Sequence, residues 1–510
     1  MLGVTTHPQR REETAVNATL SCPGAGRQAV PAGADEGRRA LAGFRGELYR
    51  CLTRRGDALF CLADAVLCAG GRVTDLARLS LVPEFGRGHG ALYDALNAGR
   101  VEFSRLRRAL AGLPPPAWED GRIRLAVDVP DWLRPEADAS PERLFCHVHV
   151  HGRGRHAGLV VPGWPYSVVA ALGPGRSSWT LPLDAVRLGP GDDDLEVTAA
   201  QLRDVVGRLT AAGHWRPGDP EILIAMDSGY NVTRLAWLLD GLPVILVARL
   251  RSDRVLYRPA PARERPLPGR PPRHGAPVKC DDPATWDGPA VVQEGTMARH
   301  GPLAAAAWTG VHQRLDRASQ AWADWPARVP LPVIPGTLIR LACDGPCCRA
   351  PMWLWASAPD AGDALVRALW QCYLRRFDLE HTFRFLKQQL GWTRPLLRGP
   401  AAADRWTWLL IACYAQLSLA RRLAPLTRMP WHPPRPPAGD PTPGQARAGF
   451  RRLRETLGTP AGAPKPSRPG PGRPKGSKNK RKAPRHPAGK AAPKKRRPAK
   501  NPRKKTKQTG

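Results

Sequence analysis

Lysine is almost missing from the first 460 residues, where only Lys279 and Lys387 occur in a chain that otherwise uses arginine for positive charge. Tyrosine is scarce as well, with seven in 510 residues. Either residue at a regular spacing is therefore informative. The eleven cysteines form no paired C-x-x-C motif and cluster only at Cys343, Cys347 and Cys348. That excludes a zinc ribbon or a disulfide-framework protein, and a reduced, cytoplasmic chain is the expectation. No basic-then-apolar leader is read in residues 1–35. The apolar stretch near Trp406–Leu419 is too short to span a bilayer, so no membrane partner is expected.

Acidic residues are absent from residue 461 onward, where 19 basic residues stand. The whole chain has 78 Lys and Arg against 44 Asp and Glu, so 59 basic residues face 44 acids in the body. A basic body as well as a basic tail points to nucleic acid. The tail has almost no apolar residue beyond alanine and is expected to be disordered when free. Within it, Gly472-Arg473-Pro474-Lys475 is similar to an AT-hook core, making Arg473 and Lys475 weak candidates for DNA contact.

Two apolar runs end in an acid. Arg122–Val127 leads into Asp128, and Glu221–Met226 leads into Asp227 and then Gly229. Each reads as a buried strand that delivers a carboxylate to the sheet edge. An Asp that caps a turn is the ordinary alternative.

A helical stretch completes the set: Tyr373, Arg376, Glu380 and Lys387. At 3.6 residues per turn they fall at roughly 0°, 300°, 340° and 320°, one narrow stripe of phenol, cations and carboxylate. A solvated charged face is the usual reading of such a run. Here Leu379, Phe383, Leu386 and Leu390 recur at helical spacing directly beside it, so the charged stripe lies at the edge of the core, where a cleft would be.

This spacing resembles the YREK signature of bacterial insertion-sequence transposases of the DDE class. The resemblance implies an α/β fold: an RNase H-like mixed sheet with flanking helices, interrupted by a β-rich insertion. It also implies that Asp128, Asp227 and Glu380 are the catalytic metal ligands, with two Mg²⁺ or Mn²⁺ ions. Tyr373, Arg376 and Lys387 then position substrate phosphates. The implied partners are double-stranded element ends and target DNA, bound by a homodimer. The local pattern departs at Thr233, where the family has an aromatic; Tyr230 is the nearest one. Asp131 and Asp253 are lesser candidates for ligands. The expected activity is metal-dependent cleavage of element ends and strand transfer. An inactivated or domesticated DNA-binding descendant is the alternative.

The expected organisation follows. Residues 1–35 are disordered, 36–118 are a helical, DNA-binding domain, and 119–252 are the first part of the core. A β-rich insertion takes 253–335, the second part of the core 336–425, and a Pro-rich linker with the basic tail 426–510. The helical region also reads as an ordinary small bundle. Arg143–His151 and His156–Val161 read as a hairpin, with Tyr166–Leu172 a further strand. Trp308, in the insertion, is a candidate for stacking on an unpaired base, with burial inside the insertion as the other reading. His147, His149 and His151 alternate on one strand face; a hairpin face fits better than zinc, since no acid or Cys stands at comparable spacing.

Overall fold

The structure is a computed structural model and describes residues 32–148, 159–175, 177–261, 271–297, 301–343, 351–425, 440–464, 474–478 and 481–489. Five helices open it: α1 (Ala32–Cys51), α2 (Gly56–Cys68), α3 (Leu76–Leu79), α4 (His89–Ala98) and α5 (Phe103–Ala111). Two short strands between them, β1 (Leu52–Arg54) and β2 (Arg100–Val101), pair with each other.

The centre is a meander and two crossovers. Strands β3 (Arg124–Asp128), β6 (Leu159–Leu172) and β7 (Thr180–Arg187) run antiparallel, with the small strands β4 (Asp131–Leu133) and β5 (Leu144–Val148) beside β6. Helix α6 (Asp194–Ala211) then crosses to β8 (Ile222–Met226), and α7 (Val232–Leu238) crosses to β9 (Val244–Leu250). Strands β3, β8 and β9 are parallel. Burial on both faces explains why β3 and β8 read as unbroken apolar runs. The order β7-β6-β3-β8-β9 with this mixture of directions is consistent with an RNase H-like core.

Beyond β9 the sheet continues through β10 (Val255–Tyr257), β11 (Pro277–Lys279), β12 (Val291–Met297), β13 (Gly301–Gln313), β14 (Pro335–Cys343) and β15 (Met352–Ala356), all antiparallel to their neighbours. The result is one sheet of 13 strands. After it come α8 (Asp363–Arg375), α9 (Phe377–Gln388), α10 (Pro400–Ala420) and α11 (Pro443–Leu457).

Three details differ from the sequence reading. Strand β6 does not stop before Tyr166 but runs through Pro162 and Pro165. Up to Pro165 it faces β5 and β4, and from Tyr166 onward β7 and β3, so the prolines fall where it changes partners. The Tyr373–Lys387 helix is interrupted at Arg376, whose amide is shared between the carbonyls of Cys372 (3.2 Å) and Tyr373 (3.1 Å). No Gly or Pro marks this tightened turn, so the sequence carries no breaker signal. Finally, Cys343 takes part in a disulfide, against the expectation of a wholly reduced chain, while the other described cysteines are free. Cys343 belongs to the one place where cysteines crowd in sequence.

The opening helices share a core with the last ones. Leu41, Phe44, Leu59 and Leu62 pack into the same cluster as Trp406, Leu410 and Phe450. A buried network sets their register: Arg45 meets Asp64 at 2.7 Å and Gln416 at 2.8 Å, and Arg454 meets the other oxygen of Asp64 at 3.1 Å. Charges buried at that depth are tolerated because each is paired and hydrogen-bonded. Among the described residues no helix is long and apolar enough to cross a membrane.

Candidate active site

Three separate elements bring the acids together. Asp128 ends β3, Asp227 follows β8, and Glu380 lies in the first turn of α9. Because β3 and β8 are parallel neighbours, their C-terminal ends lie at the same sheet edge, and both acids are delivered there. Glu380 stands four residues after the break at Arg376 and contacts its guanidinium.

Arg376 stands in their midst. Its Nη1 is 3.2 Å from Asp128 Oδ2, and its Nη2 is 3.2 Å from Glu380 Oε1 and 3.9 Å from Asp227 Oδ1. One guanidinium thus touches all three carboxylates, and its side chain is only 11% exposed. Burial works against its charge, yet Asp128, Asp227, Tyr373 and Glu380 together raise its pKa. Asp128 is the most buried of the acids. Burial pushes its carboxyl above the usual aspartate range, against the pull of Arg376 and of the Val129 amide, which donates to it at 2.9 Å.

As they stand, all three acids contact the one guanidinium. Among the described residues no three His, Cys, Asp or Glu side chains form a metal-holding group. The donor set nevertheless fits a hard divalent cation, since three carboxylates surround a site already occupied by positive charge.

Tyr373 and Lys387 flank this centre. Tyr373 is buried, its ring centroid 5.9 Å from the Arg376 guanidinium. Burial raises its phenol's pKa, against the pull of Arg376. Lys387 lies with its Nζ 5.7 Å from the Trp392 ring centroid. Burial lowers its pKa, while Asp131 and Asp128 pull it back up. Asp131, ranked low as a ligand, thereby gains a different place, as a buried carboxylate in the field of Lys387; burial raises its pKa, partly offset by Cys146 and Lys387. Asp253 pairs with Arg251 on the surface and takes no part. Sequence reasoning missed Tyr230 except as a stand-in aromatic. Its hydroxyl is buried with no partner among the described residues, and the nearby charge of Asp128 adds to burial in raising its pKa.

Trp308 does not offer a free face. It is 4% exposed, packed between Trp286 and Trp353 with centroids 5.7 and 5.8 Å away, and its Nε1 donates to Asp287 O at 2.9 Å. The cluster of tryptophans, Trp353 from β15 and Trp286 from the turn after Pro283–Thr285, satisfied the ring from within the protein, which the isolated residue could not signal. Lys475 is exposed in a turn closed by Ser477 N to Pro474 O. Arg473, His149 and His151 lie outside the described residues. His147 is exposed on β5.

Two aspartates and a glutamate converging on one largely buried cation make a donor set suited to phosphodiester chemistry. Comparison with protein families agrees. Residues 47–314 match the family described as DDE superfamily endonuclease, more than half of the chain, and the chain belongs to that family. The fold and family make it a nuclease of the transposase type, with DNA as substrate and divalent metal as the group the family generally uses. The matched span contains Asp128 and Asp227 and ends before Glu380, so helices α8 and α9 rest on the geometry alone. No curated protein matches the chain.

Proposed function

We propose that the protein is a YREK-type insertion-sequence transposase, cutting the ends of its own element and joining the freed 3′-hydroxyl to target DNA. The observation that carries this reading is the contact of Arg376 with Asp128, Asp227 and Glu380. It unites the spacing motif with both strand-borne acids. Asp128, Asp227 and Glu380 would hold Mg²⁺ or Mn²⁺, two ions on this reading. When bound, the metal activates the attacking oxygen and stabilises the leaving one.

The chain's own residues supply the rest. Arg376, displaced from the carboxylates, presents a planar fork that grips a phosphate bidentately, a geometry a lysine cannot reproduce. Tyr373 backs that fork from the buried side. Lys387, part-buried and in the field of Asp131, offers a point charge to the next phosphate along the strand. In this reading a homodimer holds two element ends.

The test is a labelled element end incubated with protein and Mg²⁺. Cleavage followed by strand transfer supports the reading, and cleavage without joining reduces it to a nuclease. Binding without cleavage would make the protein a domesticated DNA binder. Asp128→Asn, Asp227→Asn and Glu380→Gln should each end cleavage while end binding stays largely intact. Full activity in any one of them removes that residue from the metal site.

A further inference from the structure

Part of the basic tail is docked, not free. Residues 485–489 lie along the body at the entrance to β5. The His486 amide donates to Asp138 O at 2.7 Å and the Gly489 amide donates to Arg143 O at 2.6 Å. In return the Arg143 guanidinium donates to His486 O at 2.8 Å. Two main-chain bonds from tail to body and one side-chain bond in return hold the segment in place.

The receiving side is prepared. Arg143 is 2% exposed, and its remaining donors are fixed on Ser140 O and Arg134 O, each at 3.1 Å. Its Nη2, which also lies 3.7 Å from Asp138 Oδ1, is the group that meets the tail. Glu142, just before it, has a φ of 57°, a conformation that costs a non-glycine residue of order 1 kcal/mol or more. The turn is further held by an ion pair from Glu142 to Arg187 at 2.9 Å. On the tail side, a Cβ at Gly489 would stand 3.3 Å from Leu144 Cδ2, so the close approach suits glycine.

The position matters more than the contacts. Leu144 pairs with Gly163 on β6, and Asp128 pairs with Val168 on the same strand. Five residues of β6 separate the two points, about 17 Å at a strand's rise per residue. Measured along duplex DNA, that is about five base pairs. The docked segment also divides the tail's charge. Eight of the 19 basic residues precede it, from Lys465 to Lys482, Arg485 is inside it, and ten follow, from Lys490 to Lys507.

We infer that residues 485–489 form a clip that fixes the tail to the catalytic body, so that the exposed Arg481, Lys482 and Arg485 engage the phosphates of duplex DNA about five base pairs from the bond that Asp128 serves. This rests on the DNA-cutting reading above. It adds a register to what would otherwise be unplaced electrostatic attraction.

The test uses the full chain and two tail-side variants that leave the body untouched. His486→Pro removes the first donor, and Gly489→Leu obstructs the approach to Leu144. Hydrogen exchange without DNA comes first. The His486 and Gly489 amides should be protected in the parent chain. In Gly489→Leu the His486 amide, and in His486→Pro the Gly489 amide, should exchange at the rate of an unstructured peptide. Unprotected amides in the parent chain overturn the clip.

Hydroxyl-radical footprinting then uses a labelled duplex carrying the sequence that borders this gene. The parent chain should protect phosphates about five base pairs from the cleavage point, and both variants should lose that protection. Their salt slope should stay the same, since no charge has been removed. An identical footprint in the variants overturns the register. Protected amides with no DNA footprint in any form would overturn the DNA reading and leave the clip standing.

Discussion

Replacing Arg376 by glutamine removes the one cation that touches Asp128, Glu380 and Asp227 together. The size of the effect follows from exposure. Glu380 and Asp227 are 39% and 47% exposed, so their pairs lie near the about 0–1 kcal/mol of surface ion pairs. Asp128 is 25% exposed at 3.2 Å and approaches the buried case, where removing one partner costs about 3–5 kcal/mol. Between these limits we expect a loss of about 2 kcal/mol in metal-free protein at neutral pH. The same energy reappears as divalent metal affinity, because the ion no longer competes with the guanidinium. At about 1.4 kcal/mol per tenfold, that is roughly 30-fold tighter binding.

The pH dependence carries a sign. Burial raises the folded pKa of Asp128, so its contribution to stability is complete below the unfolded value of about 3.9 and is lost as pH rises through the folded one. Losing Arg376 raises that folded value further. The gap between variant and parent should therefore be small in acid and open as pH rises. Urea unfolding with and without Mg²⁺ measures the first quantity, and calorimetric titration with Mn²⁺ the second. DNA cleavage should fall despite the tighter metal. Equal metal-free stability together with unchanged metal affinity would show that the guanidinium is not the stand-in cation.

Lys387→Met should stabilise the protein against heat while weakening DNA binding. Burial lowers the lysine's folded pKa, so its penalty is absent above the unfolded value of about 10.4 and complete once pH has fallen below the folded one. Melting curves across that range should show the variant's advantage growing as pH falls, and an advantage that does not change would contradict it. Trp308→Ala should cost about 3–5 kcal/mol in stability, the range for emptying a buried aromatic site. DNA affinity per folded molecule should not change in that variant, and a selective loss of affinity would return Trp308 to the DNA surface.

What could be read from sequence was whatever a short window holds. An apolar run closed by Asp announced β3 and β8, because strands buried on both faces need no alternation. That both acids then meet depends only on parallel neighbours, which the family resemblance supplied. The features that escaped were settled at long range. Trp308 is buried because Trp286 comes to it from a turn and Trp353 from another strand. The clip exists because Arg143, 343 positions from His486, aims an N–H at it. The turn at Arg376 has no Gly or Pro to announce it and stands where three acids need one cation. The basic tail was read from composition alone, and composition carries no information about a five-residue docking site inside it.

The shared core of the first and last helices has a consequence for synthesis. Arg45 waits for Gln416, 371 residues later, before its network closes. At about 5–20 residues per second, translation leaves the apolar sides of α1 and α2 without their final partners for roughly 20–75 s. Glu380 is made late in the same interval. A nascent chain therefore has no complete set of acids and no closed core until most of it has left the ribosome. Premature termination would yield fragments whose exposed Leu41, Phe44, Leu59 and Leu62 mark them for aggregation or degradation.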